Sequence, residues 1–125
     1  MRRYVEERAA ALQIDSSTMY DVLLAVNEMV TNIIVHGYRG EPGSIEIDVE
    51  RQRNDIVARL RDWAPPFDPS SVPPPDISLP LHMRPLGGMG IHLTRKLMDS
   101  LDYHGDETNG NELILVKQGA VASHP

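Results

Sequence analysis

Cysteine is absent from this chain of 125 residues, which excludes disulfide bonds and metal sites built from thiolates. Basic residues are outnumbered by acidic ones, 12 to 18, so the formal net charge is −6. An acidic chain without a cluster of Lys and Arg is a poor candidate for binding nucleic acid. No apolar run approaches the roughly 20 residues of a membrane span, and no signal-peptide pattern opens the sequence. These absences predict a soluble cytoplasmic protein that binds neither nucleic acid nor membrane.

Apolar residues make up 41% of the chain, which is enough for a normal core, and the length is near the commonest domain size. We therefore expect a single domain over residues 1–125. Periodicity and turn residues predict helices over residues 1–14, 20–36 and 91–101, and strand hairpins over 44–51 with 55–61 and over 99–106 with 111–118.

The second predicted helix has the strongest apolar pattern. The residues of its predicted buried stripe are Leu23, Val26, Val30, Ile33 and Ile34. A polar cluster at residues 15–18 breaks the chain before this helix and offers an N-cap. Thr18 and Asp21 resemble a capping pair in that cluster.

Glu28, Asn32 and His36 follow one another at four-residue steps on this helix, so they form one slowly drifting row. Polar groups beside a core stripe are costly unless they are satisfied or used. Glu28 has the chemistry of a general base, and the amide oxygen of Asn32 suits a hard cation such as Mg²⁺. The alternative is a solvated Glu and a capping-type Asn. His36, followed by Gly37, is typical of a helix end.

A carboxylate, Asp62, ends the second predicted strand, and three prolines between residues 65 and 69 prevent a regular element after it. A carboxylate placed there can accept a hydrogen bond from an exocyclic amine of a ligand, or it can cap the turn. Residues 70–86 carry five more prolines and almost no periodicity. This predicts either a functional lid, near residues 65–87, or a disordered segment.

Three glycines in four residues, Gly87-Gly88-Met89-Gly90, precede the third predicted helix. The N–H groups and the dipole at a helix N-terminus favour an anion, and glycine lets the backbone approach it closely. The segment therefore predicts a phosphate site, with a plain glycine turn as the alternative. It matches neither the Walker pattern nor the Rossmann fingerprint.

Histidine-based metal chemistry is not indicated, because the five histidines show no metal-ligand spacing. They stand singly at His36, His82, His92, His104 and His124.

Taken in order, these segments resemble the ATP-binding domain shared by gyrase, Hsp90, histidine kinases and MutL. The motifs are Glu28, Asn32 and His36 on a helix, Asp62 with Pro66-Phe67-Asp68-Pro69 after a hairpin, and Gly87-Gly88-Met89-Gly90 opening a helix. Over residues 20–118 the chain is most similar to the anti-sigma-factor serine kinases of bacteria. The resemblance implies an α/β (α+β) two-layer sandwich, the histidine-kinase-like ATPase fold, in which a mostly antiparallel mixed sheet has three helices on one face.

The resemblance also implies a role for each motif. Glu28 would be the catalytic base toward a protein serine, and Asn32 would bind both ATP and Mg²⁺. Asp62, with Ala64 near it, would bind the adenine amino group. The phosphate-binding residues would be Gly88, Met89, Gly90, Ile91 and, from the lid, Arg84.

The sequence departs from the family in two places. Members usually carry Gly where this chain has Ala64, and a methyl group there could crowd the base. Members also usually begin with an extra strand before the first helix. A truncated start is one interpretation, and it bears on the sheet edge and on any dimer contact.

The function implied by the resemblance is that of an ATP- and Mg²⁺-dependent serine/threonine protein kinase that acts as an anti-sigma factor. Its partners would be an anti-sigma-factor antagonist as substrate and a sigma factor, and a homodimer is a further option. Two alternatives remain open. One is a non-catalytic, nucleotide-sensing partner-switch module, which Ala64 favours. The other is an ATP-binding domain cut from a larger signalling protein such as a histidine kinase.

Overall fold

The computed structural model describes residues 2–69, Ser78 and residues 88–119. The predicted order of helices and strands is confirmed, with ends shifted by a few residues. In chain order the elements are α1 (Arg2–Leu12), α2 (Ser16–Asn32) with a π-helical turn (Ile33–Gly37), β1 (Ile45–Gln52), β2 (Asp55–Asp62), α3 (Gly88–Leu97), β3 (Ser100–His104) and β4 (Asn111–Lys117). The predicted lid, with His82 and Arg84, lies almost wholly outside the described residues.

The four described strands form one sheet in the order β1-β2-β4-β3, and each neighbouring pair is antiparallel. Ile47 lies opposite Leu60, Leu60 opposite Leu113, and Leu113 opposite Tyr103. Directly opposed residues of an antiparallel pair project from the same face of the sheet. One face therefore carries an apolar row, and the α/β sandwich expected from the sequence is confirmed.

The core lies between this face and the helices. β2 supplies it mainly through the alternate residues Ile56, Ala58 and Leu60, and α2 supplies it through residues spaced by three and four positions. The fully buried side chains of these two elements include Met19, Val22, Ala25 and Met29 of α2, and Ile56, Ala58 and Leu60 of β2. Burial of a side chain of Leu or Met size contributes roughly 1.5–3 kcal/mol, so α2 is the helix on which the fold depends most.

The predicted buried stripe of α2 was partly wrong. Val26 and Ile33 are buried, but Leu23 and Val30 are only half-buried and Ile34 is 45% exposed. Apolar residues occupy more of the circumference of α2 than packs against the sheet. The apolar sequence pattern alone therefore could not locate the centre of the packed face. That centre runs from Met19 to Asn32.

The helix also begins differently from the prediction. The N-cap is Asp15, not Thr18, because one carboxylate oxygen of Asp15 accepts a hydrogen bond from the backbone N–H of Thr18 at 2.7 Å. The hydroxyl groups of Ser17 and Thr18 donate to the same carboxylate. These donors lower the pKa of Asp15 below its ordinary value.

The C-terminal end of α2 widens into the π-helical turn, in which the N–H of Tyr38 donates to the carbonyl of Ile33 at 2.9 Å. The apolar pattern predicts a continuous α-helix to residue 36, so this turn departs from that prediction. Single π-turns are often found at functional sites, and this one holds His36 and Gly37.

The third helix starts three residues earlier than the sequence predicted. Gly88 to Gly90 form its first turn instead of a loop before it, and the helix ends at Leu97 instead of residue 101. The ammonium group of Lys117 donates to the carbonyl of Leu97 at 2.8 Å, and the N–H of Asp99 donates to Val116. The chain therefore leaves the helix to join the sheet, which periodicity alone did not reveal.

The continuous helical stretch Ser16–Gly37 has 22 residues and a mean hydropathy of 1.2. By length and composition it could cross a membrane. However, 39% of its most apolar window is buried inside the protein, and core helices of globular proteins meet the same criterion. This stretch is weak support for a membrane span.

The cap of α2 can be tested by two matched substitutions. Asp15→Ala should lower the free energy of unfolding at pH 7 by about 1 kcal/mol, the usual value of an N-cap. Asp21→Ala removes the carboxylate that the sequence pattern suggested, and it should cost clearly less. Urea denaturation of the three proteins measures both values; an equal loss in the two variants would contradict the assignment.

The same cap predicts a pH dependence. Because the pKa of Asp15 is lower in the folded state than its ordinary 3.8, its stabilisation is present above that value and is lost as the pH falls through the folded-state pKa. The difference in unfolding free energy between the wild type and Asp15→Ala should therefore shrink below about pH 4. A difference that stays constant down to pH 2 would exclude a contribution from the ionised carboxylate.

Candidate functional site

Asn32 is the last residue of α2, and its side chain is 2% exposed. Within the described ranges its amide oxygen has no hydrogen-bond partner, although it is buried. An unpaired buried acceptor costs roughly 1–3 kcal/mol, so such groups in a folded protein need an explanation. A ligand that coordinates the oxygen would provide one.

Asp62, the last residue of β2, is 6% exposed. Its Oδ1 accepts hydrogen bonds from the backbone N–H of Ala64 at 3.0 Å and from the side-chain amide of Asn111 at 2.8 Å. Amide donors held in place in this way pair favourably with a carboxylate acceptor. The prediction that Asp62 ends the strand beside a loop is confirmed, and its side chain does more than cap a turn.

Asn32 and Asp62 line one narrow cleft with a cavity volume of about 20 Å³, which is partly open to solvent. The other lining residues are Ile33, Gly37, Pro65, Phe67, Pro69, Tyr103, Asn111 and Leu113. The cleft thus lies between the end of α2, the end of β2 and the start of β4. It combines apolar walls with a few convergent polar groups, which is typical of a site for a small ligand.

Three successive contacts hold the end of α2 against the loop that follows Asp62. The ring of His36 stacks on that of Phe67, with centroids 5.1 Å apart and an angle of 15° between the planes. Gly37 lies against Ala64, and the hydroxyl of Tyr38 accepts a hydrogen bond from the N–H of Trp63 at 2.9 Å. We call this series of contacts the helix–loop clamp. It fixes the two walls of the cleft relative to each other.

Ala64, the departure from the family pattern, is buried within this clamp. A Cβ atom added to Gly37 would approach the Cβ of Ala64 to 3.2 Å, so the methyl group of Ala64 points toward the hydrogen atoms of that glycine. Ala64 is not among the residues that line the cleft. The concern that its methyl group crowds a bound base is therefore not supported by the geometry.

Glu28 lies one turn before Asn32 and is half-buried. A Cβ added to Gly90 would come within 2.8 Å of Glu28 Oε2. The carboxylate of Glu28 therefore packs directly against the first turn of α3, at a place where only glycine fits without displacing it. The predicted base and the predicted phosphate segment are neighbours in the fold.

The remaining predicted residues are placed as follows. Gly88, Met89, Gly90 and Ile91 form the start of α3, where Gly90 and Ile91 are buried. The hydroxyl of Thr94 donates to the carbonyl of Gly90 at 2.9 Å, which ties down that first turn. Arg84 lies outside the described residues.

Two cleft residues were missed by the sequence analysis. Asn111 is 3% exposed and opens β4 on the face that also carries Leu113 and Leu115. A polar residue at a core-facing position of a strand is the available signal, but the sequence pattern alone predicts Asn111 only as part of a hairpin. Tyr103, on the neighbouring strand, donates its hydroxyl to the amide oxygen of Asn111 at 3.2 Å.

The Tyr103 hydroxyl also accepts a hydrogen bond from the N–H of Phe67 at 2.8 Å. Burial raises the pKa of Tyr103, and the negative charges of Asp62 and Asp68 act in the same direction. The phenol therefore stays protonated at neutral pH and can serve at once as donor and acceptor.

The chain is similar to known proteins over most of its length. The sequence profile described as "Histidine kinase-like ATPase domain" matches residues 1–117. Serine-protein kinase RsbW of Bacillus cereus (strain AH820) is 34% identical over 101 residues, which cover 78% of this chain and 62% of the relative. Serine-protein kinase RsbW of Bacillus thuringiensis (strain Al Hakam) is 33% identical over the same shares.

This chain thus spans less than two thirds of the length of those curated relatives. The match to the family profile, in contrast, runs from the first residue of α1 to the end of β4 and includes every residue of the cleft. With the fold and the cleft in agreement with it, the chain belongs to the histidine kinase-like ATPase domain family.

Proposed function

We propose that the protein is an ATP-dependent serine/threonine protein kinase that acts as an anti-sigma factor and phosphorylates an anti-sigma-factor antagonist. The observation that carries the proposal is the buried, unpaired amide oxygen of Asn32 in the cleft of Asp62. Glu28, one turn earlier on the same helix, lies against Gly90. The names of the similar kinases from Bacillus support the same reaction class.

Asp62 suits the adenine end of ATP. Both of its described hydrogen bonds end on Oδ1, which leaves Oδ2 as an acceptor for the 6-amino group. Ile33, Phe67 and Leu113 supply apolar surface for a flat ring. An ionised carboxylate accepts hydrogen bonds but cannot donate them. Asp62 would therefore favour a base that carries an amine at that position.

Asn32 fits Mg²⁺, a hard cation that prefers oxygen ligands and keeps several waters. In the part of the chain that the structure describes, no three His, Asp or Glu side chains cluster as a metal site. One protein oxygen, completed by phosphate oxygens and water, is therefore the arrangement we propose. Bound there, the ion would neutralise charge on the phosphates.

The start of α3 suits the phosphates, because its backbone N–H groups have no partner within the helix and its dipole favours anions. In the proposed transfer the γ-phosphoryl group passes to the hydroxyl oxygen of a protein serine, and ADP leaves. Glu28 takes the hydroxyl proton as general base. Its position against Gly90 keeps the base next to the phosphate segment.

The non-catalytic, nucleotide-sensing module is the alternative of a different class. Its main support was Ala64, and the methyl group of that residue contacts Gly37 instead of the cleft. The kinase proposal therefore has more support from the residues of the site. The proposal includes a sigma factor as second partner and a cytoplasmic location. Sedimentation analysis would test whether the protein forms a homodimer.

Adenine recognition predicts the effect of Asp62→Asn. The N–H of Ala64 and the amide of Asn111 would hold the oxygen of the new side chain, and its NH₂ group would then face the adenine amine. Two donors would oppose each other, so ATP affinity should fall at least tenfold, or about 1.4 kcal/mol. Calorimetric titration measures this. Asp102→Asn, the same change at an exposed residue of β3, should leave the affinity unchanged, and equal affinity in all three proteins would contradict the adenine assignment.

Magnesium dependence should run through Asn32. Because its oxygen has no described partner, Asn32→Ala should lower the free energy of unfolding without nucleotide by no more than about 1 kcal/mol. The tightening of ATP binding by Mg²⁺ should disappear, and phosphoryl transfer with it. Asn27→Ala, at an exposed position of the same helix, is the control. Normal tightening by Mg²⁺ in Asn32→Ala would place the cation elsewhere.

Glu28→Gln separates the kinase from the binding module. The shape is retained and the base is lost, so ATP affinity should stay within about threefold, while transfer to an antagonist protein should fall by roughly 100-fold or more. Label transfer from ATP to a candidate antagonist measures the rate, with Asp21→Asn, two turns earlier on α2, as control. If the wild type binds ATP but labels no candidate antagonist, the non-catalytic module is the better description.

A further inference from the structure

A chain of hydrogen bonds links Asp62 to the loop beyond it through two residues for which the proposed function has no role. The side-chain amide of Asn111 donates to Asp62 Oδ1 at 2.8 Å and to the carbonyl of Ala64 at 2.9 Å. Its amide oxygen accepts from the hydroxyl of Tyr103 at 3.2 Å and from the N–H of Asp106 at 3.2 Å. The buried amide of Asn111 thus makes four hydrogen bonds, two as donor and two as acceptor.

These bonds fix the orientation of the Asn111 amide. Its NH₂ side must face Asp62 and the Ala64 carbonyl, because both are acceptors. Its oxygen must face the Tyr103 hydroxyl and the Asp106 N–H, which donate to it. The side chain therefore cannot flip without breaking four contacts, and it presents a fixed donor to the carboxylate.

A carboxylate rotates easily about its last bond, so an acceptor in a cleft needs fixed donors to hold one oxygen toward the ligand. For Asp62 these donors are the N–H of Ala64 and the amide of Asn111, and both engage Oδ1. The second oxygen is thereby aimed at the space that the proposed function assigns to the adenine amine.

We propose that Asn111 is a positioning residue that sets the selectivity of the cleft for a purine with a 6-amino group, by holding Asp62 in its acceptor orientation. Tyr103 supports it, because its hydroxyl orients the Asn111 oxygen and also binds the N–H of Phe67. The inference rests on the proposed function, in which Asp62 accepts a hydrogen bond from adenine. Asn111 itself need not touch the nucleotide.

The test compares two nucleotides, ATP and purine riboside triphosphate, which lacks the 6-amino group. The wild type should bind ATP at least tenfold more tightly than the analogue. Asn111→Ala should weaken ATP binding about tenfold, the effect of one charge-assisted hydrogen bond. It should change the affinity for the analogue by less than about twofold, because only ATP uses the Asp62 acceptor. A merely structural role would weaken both nucleotides equally, and that result would overturn the proposal.

Two further variants keep the test decisive. Asn109→Ala alters an exposed asparagine of the same hairpin, which bonds Asp106 and not Asp62, and it should leave both affinities unchanged. Tyr103→Phe keeps the ring and removes the hydroxyl, so the preference for ATP should fall about threefold. If Asn111→Ala does not fold, Tyr103→Phe decides: a preference equal to that of the wild type overturns the inference.

The results also separate this inference from the proposed function. If the wild type binds neither nucleotide, the proposed function fails and the inference fails with it. If the wild type prefers ATP and Asn111→Ala retains that preference, only the role of Asn111 is refuted.

Discussion

A buried amide oxygen without a described partner, on the helix that contributes more buried apolar side chains than any other described element, is the constraint around which this molecule is organised. Asn32 lies in the same buried face of α2 as Met29 and Ala25. Packing of that face against β2 therefore forces the amide into the interior whether or not a ligand is present. Burial of the unpaired amide oxygen destabilises the fold by roughly 1–3 kcal/mol. Burial of the apolar side chains of the same helix offsets this loss. Core and site cannot be varied independently, because one rigid helix presents both.

The helix–loop clamp extends this rigidity to the other wall of the cleft. Its contacts pair three consecutive residues, His36, Gly37 and Tyr38, with the loop between Trp63 and Phe67. The π-helical turn matters because it changes the direction in which these three residues point relative to a regular α-helix. Ala64 can be accommodated because Gly37 has no side chain at the point of contact. Positions 37 and 64 should therefore be considered as a pair.

Much of the fold could be predicted from the sequence because its signals are local. Alternation in β1 and β2, the Asn109-Gly110 turn and the length of α2 each specify an element without reference to the rest of the chain. The glycine segment, the Glu28–Asn32 row and Asp62 were identifiable for the same reason.

The errors in the predicted fold concern choices that depend on distant parts of the chain. Asp15 and Thr18 are both chemically able to cap α2, and only the helix start decides between them. The packed face of α2 depends on where the sheet lies, which the pattern of its own residues does not show. Asn111 was missed because its importance comes from Asp62, 49 residues away in the chain.

The distribution of charge gives the proposed site its polarity. The protein has a net charge of −6 and brings two carboxylates, Glu28 and Asp62, to the site. A triphosphate would be repelled by both unless it met compensating groups. In the proposed site Asp62 faces the adenine amine as a hydrogen-bond acceptor, and it also accepts hydrogen bonds from Ala64 and Asn111. The phosphate end would instead lie at the start of α3, where helix N–H groups and a cation on the neutral oxygen of Asn32 would oppose the negative charge.

A neutral amide is well suited to position 32, because a carboxylate there would place a further buried negative charge beside the phosphates whenever the cation is absent. In the proposed mechanism the row on α2 combines an acid and an amide with different tasks: the half-buried Glu28 would accept a proton, and the buried Asn32 would hold a cation without carrying charge itself.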